Sequence, residues 1–198
     1  MELRDLLARR RMVRSFDATP VDPAWLEALC ADALRAPTAG NAAGVRMRVV
    51  TAARLAEYFD AATDAAWRAG SARYPGLARA GAAVLVTARV EDYLARYAEP
   101  DKAASGLAQS DAWPIPYWYV DAAMATMALL LLVEEAGWQA AIWGSFRHAE
   151  RVLTWAGADG EELVATVLVG RADGSDHPSA SRLRAVPPTA QRVTRIGD

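Results

Sequence analysis

The sequence VDAAMATMALLLLVEEAG, residues 120–137, contains the longest apolar run of the chain. The apolar part, from Ala122 to Val133, is only about a dozen residues long and is followed by two glutamates, so it is too short to span a bilayer. Apolar residues on every face predict a helix that is buried on all sides, and Gly137 is suited to end it. We therefore expect a long buried helix over residues 120–136 at the centre of the fold.

The rest of the chain contains four short segments with the pattern of β-strands, separated by helical patterns and by loops. The helix after Asp22 is the clearest, because Asp22 can cap its N-terminus and Pro23 suits the first helical position. The expected strands cover residues 45–51, 82–88, 138–144 and 162–170, and the other expected helices cover residues 1–10, 21–36, 52–69 and 148–157. Separated strands with helices between them predict an α/β or α+β arrangement in three layers. No linker is apparent, so we expect a single domain over residues 1–198.

Composition excludes several classes of function. The 198 residues carry a net charge of −2 at pH 7, which argues against a nucleic-acid-binding protein. The single cysteine, Cys30, cannot build a disulfide framework or a cysteine-based metal site, and the N-terminus lacks a signal-peptide pattern. We expect a cytoplasmic protein without nucleic-acid or membrane partners. The two histidines, His148 and His177, are expected at the surface, and we assign no catalytic side chain and no metal ligand.

Positive charge is concentrated in RRRMVRSF, residues 9–16, beside apolar side chains. Three further features are unusual: the loop APTAGN at 36–41, the aromatic loop AWPIPYWY at 112–119, and Arg182 with Arg184. Phosphate-loop, dinucleotide-binding and serine-hydrolase motifs are absent. The combination favours a protein that binds an anionic, aromatic cofactor and leaves the chemistry to it. The alternative is that the arginines form a solvated helix end.

Taken together, these motifs resemble the nitroreductase family of FMN-dependent oxidoreductases. The segment RRMVRSF is similar to the family's R-R-S-x-R-x-F, and residues 35–50 are similar to its A-P-S-x-x-N-x-Q-P-W segment. Residues 120–146 match its central helix, glycine turn and following strand, and residues 182–187 resemble its closing basic element. The resemblance covers nearly the whole chain. It implies an α+β fold with three α/β/α layers and a mostly antiparallel sheet around the long buried helix, in an intertwined homodimer with both flavins at the interface.

The resemblance also implies which residues bind FMN. Arg10 and Arg14 would bind its phosphate or the polar edge of the flavin, and Arg11 and Met12 would follow the ribityl chain. The other expected contacts are Arg182 and Arg184 at the phosphate, Pro37, Thr38 and Asn41 from the partner subunit, and a backbone N–H of Trp143, Gly144 or Ser145 near the reactive nitrogen. This chain departs from the family pattern at Met12, where serine is usual, and at residues 43–45, where Gln-Pro-Trp is common.

The function implied by the resemblance is an FMN-dependent NAD(P)H oxidoreductase. NADPH or NADH would reduce the flavin, and a small electron-poor aromatic, such as a nitroaromatic or a quinone, would be reduced in the same cleft. Trp113 and Trp118 would wall the substrate pocket, or alternatively they cover the apolar central helix. The alternatives for function are other chemistry on the same fold, namely dehalogenation, flavin fragmentation or desaturation, and a flavin-binding protein without enzymatic activity.

Overall fold

A sheet of four antiparallel strands forms the middle layer. The computed structural model describes residues 2–144, 146–176 and 184–196. In this part of the chain the strands are β1 (Val45–Thr51), β2 (Ala82–Ala88), β3 (Gln139–Trp143) and β4 (Glu162–Gly170), in the sheet order β1–β2–β4–β3. All three ladders are antiparallel, and β2, at the centre, is buried along its whole length. The predicted strands are therefore confirmed, with β3 one residue shorter at each end than expected.

Helices cover both faces of the sheet. They are α1 (Leu3–Arg9), α2 (Pro23–Ala33), α3 (Leu55–Ala62), α4 (Ala65–Gly70), α5 (Tyr74–Leu77), α6 (Val90–Ala98), α7 (Tyr117–Glu135) and α8 (Ala149–Trp155). Successive side chains of a strand point to opposite faces. Val84 and Val86 of β2 therefore pack with α2 and α7, whereas Ala83 and Leu85 pack with α3 and α8. This arrangement confirms the three-layer α+β prediction.

Helix α7 differs from the prediction at its start and on its surface. It begins at Tyr117, directly after Pro116, and ends before Gly137, whose φ of 78° ends the helix as predicted. By length and composition alone it is apolar enough to cross a membrane, but one face of it packs on the sheet. The opposite face is open, since Tyr117 is 43% and Met124 is 37% exposed. The expectation of a helix buried on every side is therefore wrong for the single chain.

The helix expected over residues 52–69 is interrupted at Thr63, where the backbone is extended. The hydroxyl of Thr63 donates to the carbonyl of Phe59 at 2.5 Å, and Arg68 Nη1 donates to the same carbonyl at 3.2 Å. These side chains satisfy a carbonyl that the next helical turn would otherwise use, so the chain starts again as α4. At α2, in contrast, the predicted cap is confirmed: Asp22 accepts from the backbone N–H of Ala24 at 3.0 Å.

Candidate functional site

The basic segment after α1 runs along the free edge of β3. Met12 pairs in parallel with Ala140, and the N–H of Val13 donates to the Ala140 carbonyl at 3.0 Å. Phe16, fully buried, anchors the other end by pairing with Ala172. Arg14 lies between these two fixed points, and Arg10 and Arg11 lie between α1 and Met12, so all three arginines lie on anchored backbone.

The arginines of this segment are not equivalent. Arg11 is exposed, whereas Nη1 of Arg10 is buried and has no hydrogen-bond partner among the described residues. A buried donor without an acceptor is unfavourable, and a charged donor more so. Nη1 of Arg14 donates to the carbonyl of Met12 at 3.3 Å. The unpaired donor of Arg10 therefore indicates a place for an acceptor that is not part of the described chain.

Arg14 lines a surface pocket of about 410 Å³ together with a second arginine. That residue is Arg73, which is exposed and lies just before α5. The hydroxyls of Ser15 and Ser175 lie 3.0 Å apart at the same pocket. Both hydroxyls also donate to the carboxylate of Asp173, and Asp176 lines the same pocket. The two guanidinium groups are therefore what the pocket offers to an anion or to the polar edge of a planar ligand. The sequence analysis missed Arg73, because no motif surrounds it and only the fold brings it to Arg14.

Gly144, at the end of β3, opens onto a second pocket of about 300 Å³. Its walls include Trp67 and Trp143, whose ring centroids are 5.1 Å apart. Met12 lies beside this turn, because its Sδ accepts from the backbone N–H of Ile142 at 3.4 Å. The expected contacts at Met12, Trp143 and Gly144 therefore lie together at the end of β3, and Ser145 lies outside the described residues.

His148 borders the pocket at Gly144 and is only partly exposed, although it was expected at the surface. Its Nε2 lies 3.1 Å from Asp64, and its Nδ1 lies 3.4 Å from Nη1 of Arg151. Both ring nitrogens therefore contact protein groups, which link the start of α8 to the start of α4. Among the described residues, no group of three or more His, Cys, Asp or Glu side chains is arranged to hold a metal ion.

The loop with Pro37, Thr38 and Asn41 lies far from the arginines within one chain. The N–H of Ala39 donates to Asp121 near the start of α7 at 2.8 Å, whereas Arg9 lies 4.0 Å from Glu134 near its end. At the rise of an α-helix, these two anchor points on α7 are about 20 Å apart. One chain therefore does not bring the loop and the start of the basic segment together, and the expected contact of the loop with a partner's cofactor stays a prediction.

Trp113 and Trp118 lie in a closed aromatic cluster with Tyr93. They are 7% and 6% exposed, and their ring centroids are 5.7 Å apart. Nε1 of Trp113 donates to the carbonyl of Leu107 at 2.8 Å. In the single chain both indoles therefore cover the start of α7, the alternative to a pocket wall. Of the late arginines, Arg184 is exposed and Arg182 lies outside the described residues, so their expected approach to Arg10 stays a prediction.

Comparisons with known proteins agree with this architecture. The family model of the nitroreductase family matches residues 7–171. The fold is similar to nitroreductase CinD from Lactococcus lactis in complex with nicotinic acid, with a TM-score of 0.77, 16% identity and coverage of 99% of this chain and 100% of that one. A nitroreductase family protein from Streptococcus pneumoniae gives a TM-score of 0.75 and 17% identity, covering 98% of this chain and 100% of that one.

A third similar structure is an Exiguobacterium sibiricum protein assigned as a nitroreductase and solved in complex with FMN. It gives a TM-score of 0.70 and 15% identity, covering 99% of this chain and 98% of that one. Curated protein sequences give no match. At these identities the solved structures show a shared fold, and the match to the family model covers most of the sequence. The chain therefore belongs to the nitroreductase family.

Proposed function

We propose that this chain is an FMN-dependent oxidoreductase that uses NADPH or NADH to reduce a small electron-poor aromatic, such as a nitroaromatic or a quinone. The observation that carries the proposal is Nη1 of Arg10, which is buried and has no hydrogen-bond partner in the described part of the chain, on a segment anchored to β3. Two similar structures support it. The Exiguobacterium protein is bound to FMN, and the Lactococcus protein is bound to nicotinic acid, whose ring is that of nicotinamide.

The residues present fit FMN. Arg10 offers a buried cationic donor that no described residue satisfies, and Arg14 with Arg73 offers two more guanidinium groups at one pocket, which Asp176 also lines. Met12 provides an apolar thioether side chain beside Gly144 in place of the serine hydroxyl common in the family. When bound, FMN supplies reversible hydride transfer, taking a hydride from the nicotinamide and passing it to the acceptor. The chain's residues would bind the cofactor, orient it and oppose its negative charge, and solvent would supply protons.

We propose that the active form is a homodimer formed through the open face of α7. A two-fold axis through the midpoint between the two anchor points, near Met127 and Ala128, would place each chain's loop at residues 37–41 beside the other chain's arginines. Both midpoint residues are partly exposed, as expected for an apolar surface that a second copy covers. The groove between α1 and α7, lined by Leu3, Leu6 and Leu131, would extend the interface.

The test is to reduce the purified protein anaerobically. We expect a yellow protein whose flavin band is bleached by NADPH or NADH and restored by a quinone or a nitroaromatic. A flavin that stays bound and is not bleached by either nicotinamide would contradict the enzymatic proposal and favour a flavin-binding protein. Turnover of a halotyrosine in place of the nitro and quinone substrates would favour the dehalogenase alternative. NADPH and NADH are found in the cytoplasm, and we expect the protein there.

A further inference from the structure

The loop between α2 and β1 has an unusual backbone. Gly40, Asn41 and Ala43 all have positive φ values, of 60°, 56° and 51°. Glycine adopts this conformation readily and asparagine fairly often, but for alanine it is unfavourable. Strained backbone of this kind persists only where surrounding structure imposes it, and it is frequent in ligand-binding loops. Neighbouring side chains therefore impose this backbone, and the backbone determines which groups the loop exposes.

Three side chains from three different elements hold the loop. Asp121 of α7 accepts from the Ala39 N–H at 2.8 Å. Arg96 of α6 donates from Nε to the Gly40 carbonyl at 2.8 Å. Arg46 of β1 donates from Nη1 to the Ala43 carbonyl at 2.5 Å. Each of these bonds involves a charged group, and such bonds are stronger than neutral ones.

Two tyrosine rings limit the space around the same loop. A Cβ at Gly40 would lie 2.9 Å from the Tyr97 ring, and one at Gly44 would lie 2.3 Å from the Tyr93 ring. Tyr93 also donates its hydroxyl to Asp121 at 3.0 Å. Burial, and next the negative charge of Asp121, raise the pKa of Tyr93, so the hydroxyl keeps its proton and remains a donor. The loop is thus fixed by both hydrogen bonds and packing.

The loop that these contacts fix displays three side chains outside the core. Pro37 and Asn41 are exposed, and Thr38 is partly exposed. Within the described residues, the side chains of Thr38 and Asn41 have no hydrogen-bond partner. A loop that served only to connect α2 to β1 would not need strained backbone to display free polar groups. The strain is explained if these groups bind something beyond the chain.

We propose that Asp121 and Arg96, with Arg46, are positioning residues that hold the loop of residues 37–43 preformed for the FMN bound mainly by the partner subunit. The inference rests on the proposed function and on the proposed dimer. A loop that is already ordered binds without the entropy cost of ordering it, so its anchors affect cofactor affinity although they do not touch the cofactor.

The experiment uses the full-length protein and four variants: Asp121→Ala, Asp121→Asn, Arg96→Ala and Arg54→Ala. Asp121→Asn keeps an acceptor oxygen for Ala39 and so tests rescue. Arg96 is partly exposed and its replacement leaves the core intact, so Arg96→Ala tests the proposal even if Asp121→Ala does not fold. Arg54 pairs with Glu57 on the opposite face of the sheet and is the matched control. The readouts are amide hydrogen exchange of residues 39–42, the dissociation constant of FMN, and melting temperature.

We expect Asp121→Ala and Arg96→Ala to accelerate exchange in the loop and to weaken FMN binding by about tenfold, the lower end of the effect of losing one charge-assisted hydrogen bond. Asp121→Asn and Arg54→Ala should bind FMN as the wild type does. If Asp121→Ala and Arg96→Ala lower only the melting temperature and FMN affinity is unchanged, the positioning role is wrong while the proposed function stands. If the wild type binds no FMN, both are wrong.

Discussion

Replacing Arg10 by methionine should have opposite effects on the free protein and on cofactor binding. Arg10→Met removes a cationic donor whose Nη1 is buried without a partner in the described chain, and it keeps the apolar stem. In the free protein this removes an unsatisfied buried group, so the free energy of unfolding should rise by about 1 kcal/mol or more. In the complex the variant lacks the hydrogen bonds to the FMN phosphate, each worth roughly 1.5–3 kcal/mol.

At room temperature that loss weakens FMN binding by roughly 10- to 150-fold. The assay is quenching of FMN fluorescence by the apoprotein, together with urea unfolding of the same apoprotein. The control is Arg4→Met, because Arg4 is exposed on α1 and is not among the residues expected to bind the cofactor. Unchanged FMN affinity in Arg10→Met, or the same loss in both variants, would refute the assignment of Arg10 to the cofactor.

Three further predictions concern the second arginine, the dimer and the response to acid. Arg73→Ala should weaken FMN binding by up to about tenfold. Like Arg10→Met, it should not increase the salt dependence of FMN binding, and the same titration at two ionic strengths checks this. Ala128→Cys, near the proposed two-fold axis, should form an intermolecular disulfide on oxidation, whereas Ala69→Cys on exposed α4 should not; non-reducing electrophoresis distinguishes them. Hydrogen bonds from Arg48, at 2.7 Å, and from Thr87 lower the pKa of Glu161 below its ordinary value of 4.5. The stability that this carboxylate contributes is present above pH 4.5 and is lost as the pH falls through its lowered pKa. The free energy of unfolding of Glu161→Gln should therefore fall less steeply in acid than that of the wild type, and urea unfolding from about pH 6 to about pH 3 measures both.

The sheet was predictable because local pattern and burial agree. The apolar run of β2 is buried along its whole length, and the sequence of β1 alternates between apolar and polar residues from Val45 to Val49. The α2 cap was predictable for the same reason, since Asp22 and Pro23 act within a single turn. These features depend on residues that are close in the sequence, so they can be predicted before the fold is known.

The open face of α7 was not predictable, because leucine, methionine and alanine occupy all its faces and leave no polar stripe to mark the surface. The interruption at Thr63 was missed because a helical pattern continues through it, and the side-chain bonds to the Phe59 carbonyl appear only in three dimensions. Of the residues proposed to bind the cofactor, Arg10 could be found from its motif. Arg73 could not, because its relevance arises only from its position at the pocket of Arg14.

The central claim, that the arginines after α1 bind FMN in a family member that departs from the usual serine at Met12, is tested most directly by cofactor stoichiometry. The apoprotein is mixed with excess FMN, separated from free flavin by gel filtration, and analysed by absorbance and light scattering in the same run. The account predicts a yellow dimer that carries one FMN per chain. A colourless protein peak, with all the flavin eluting as free FMN, would contradict it.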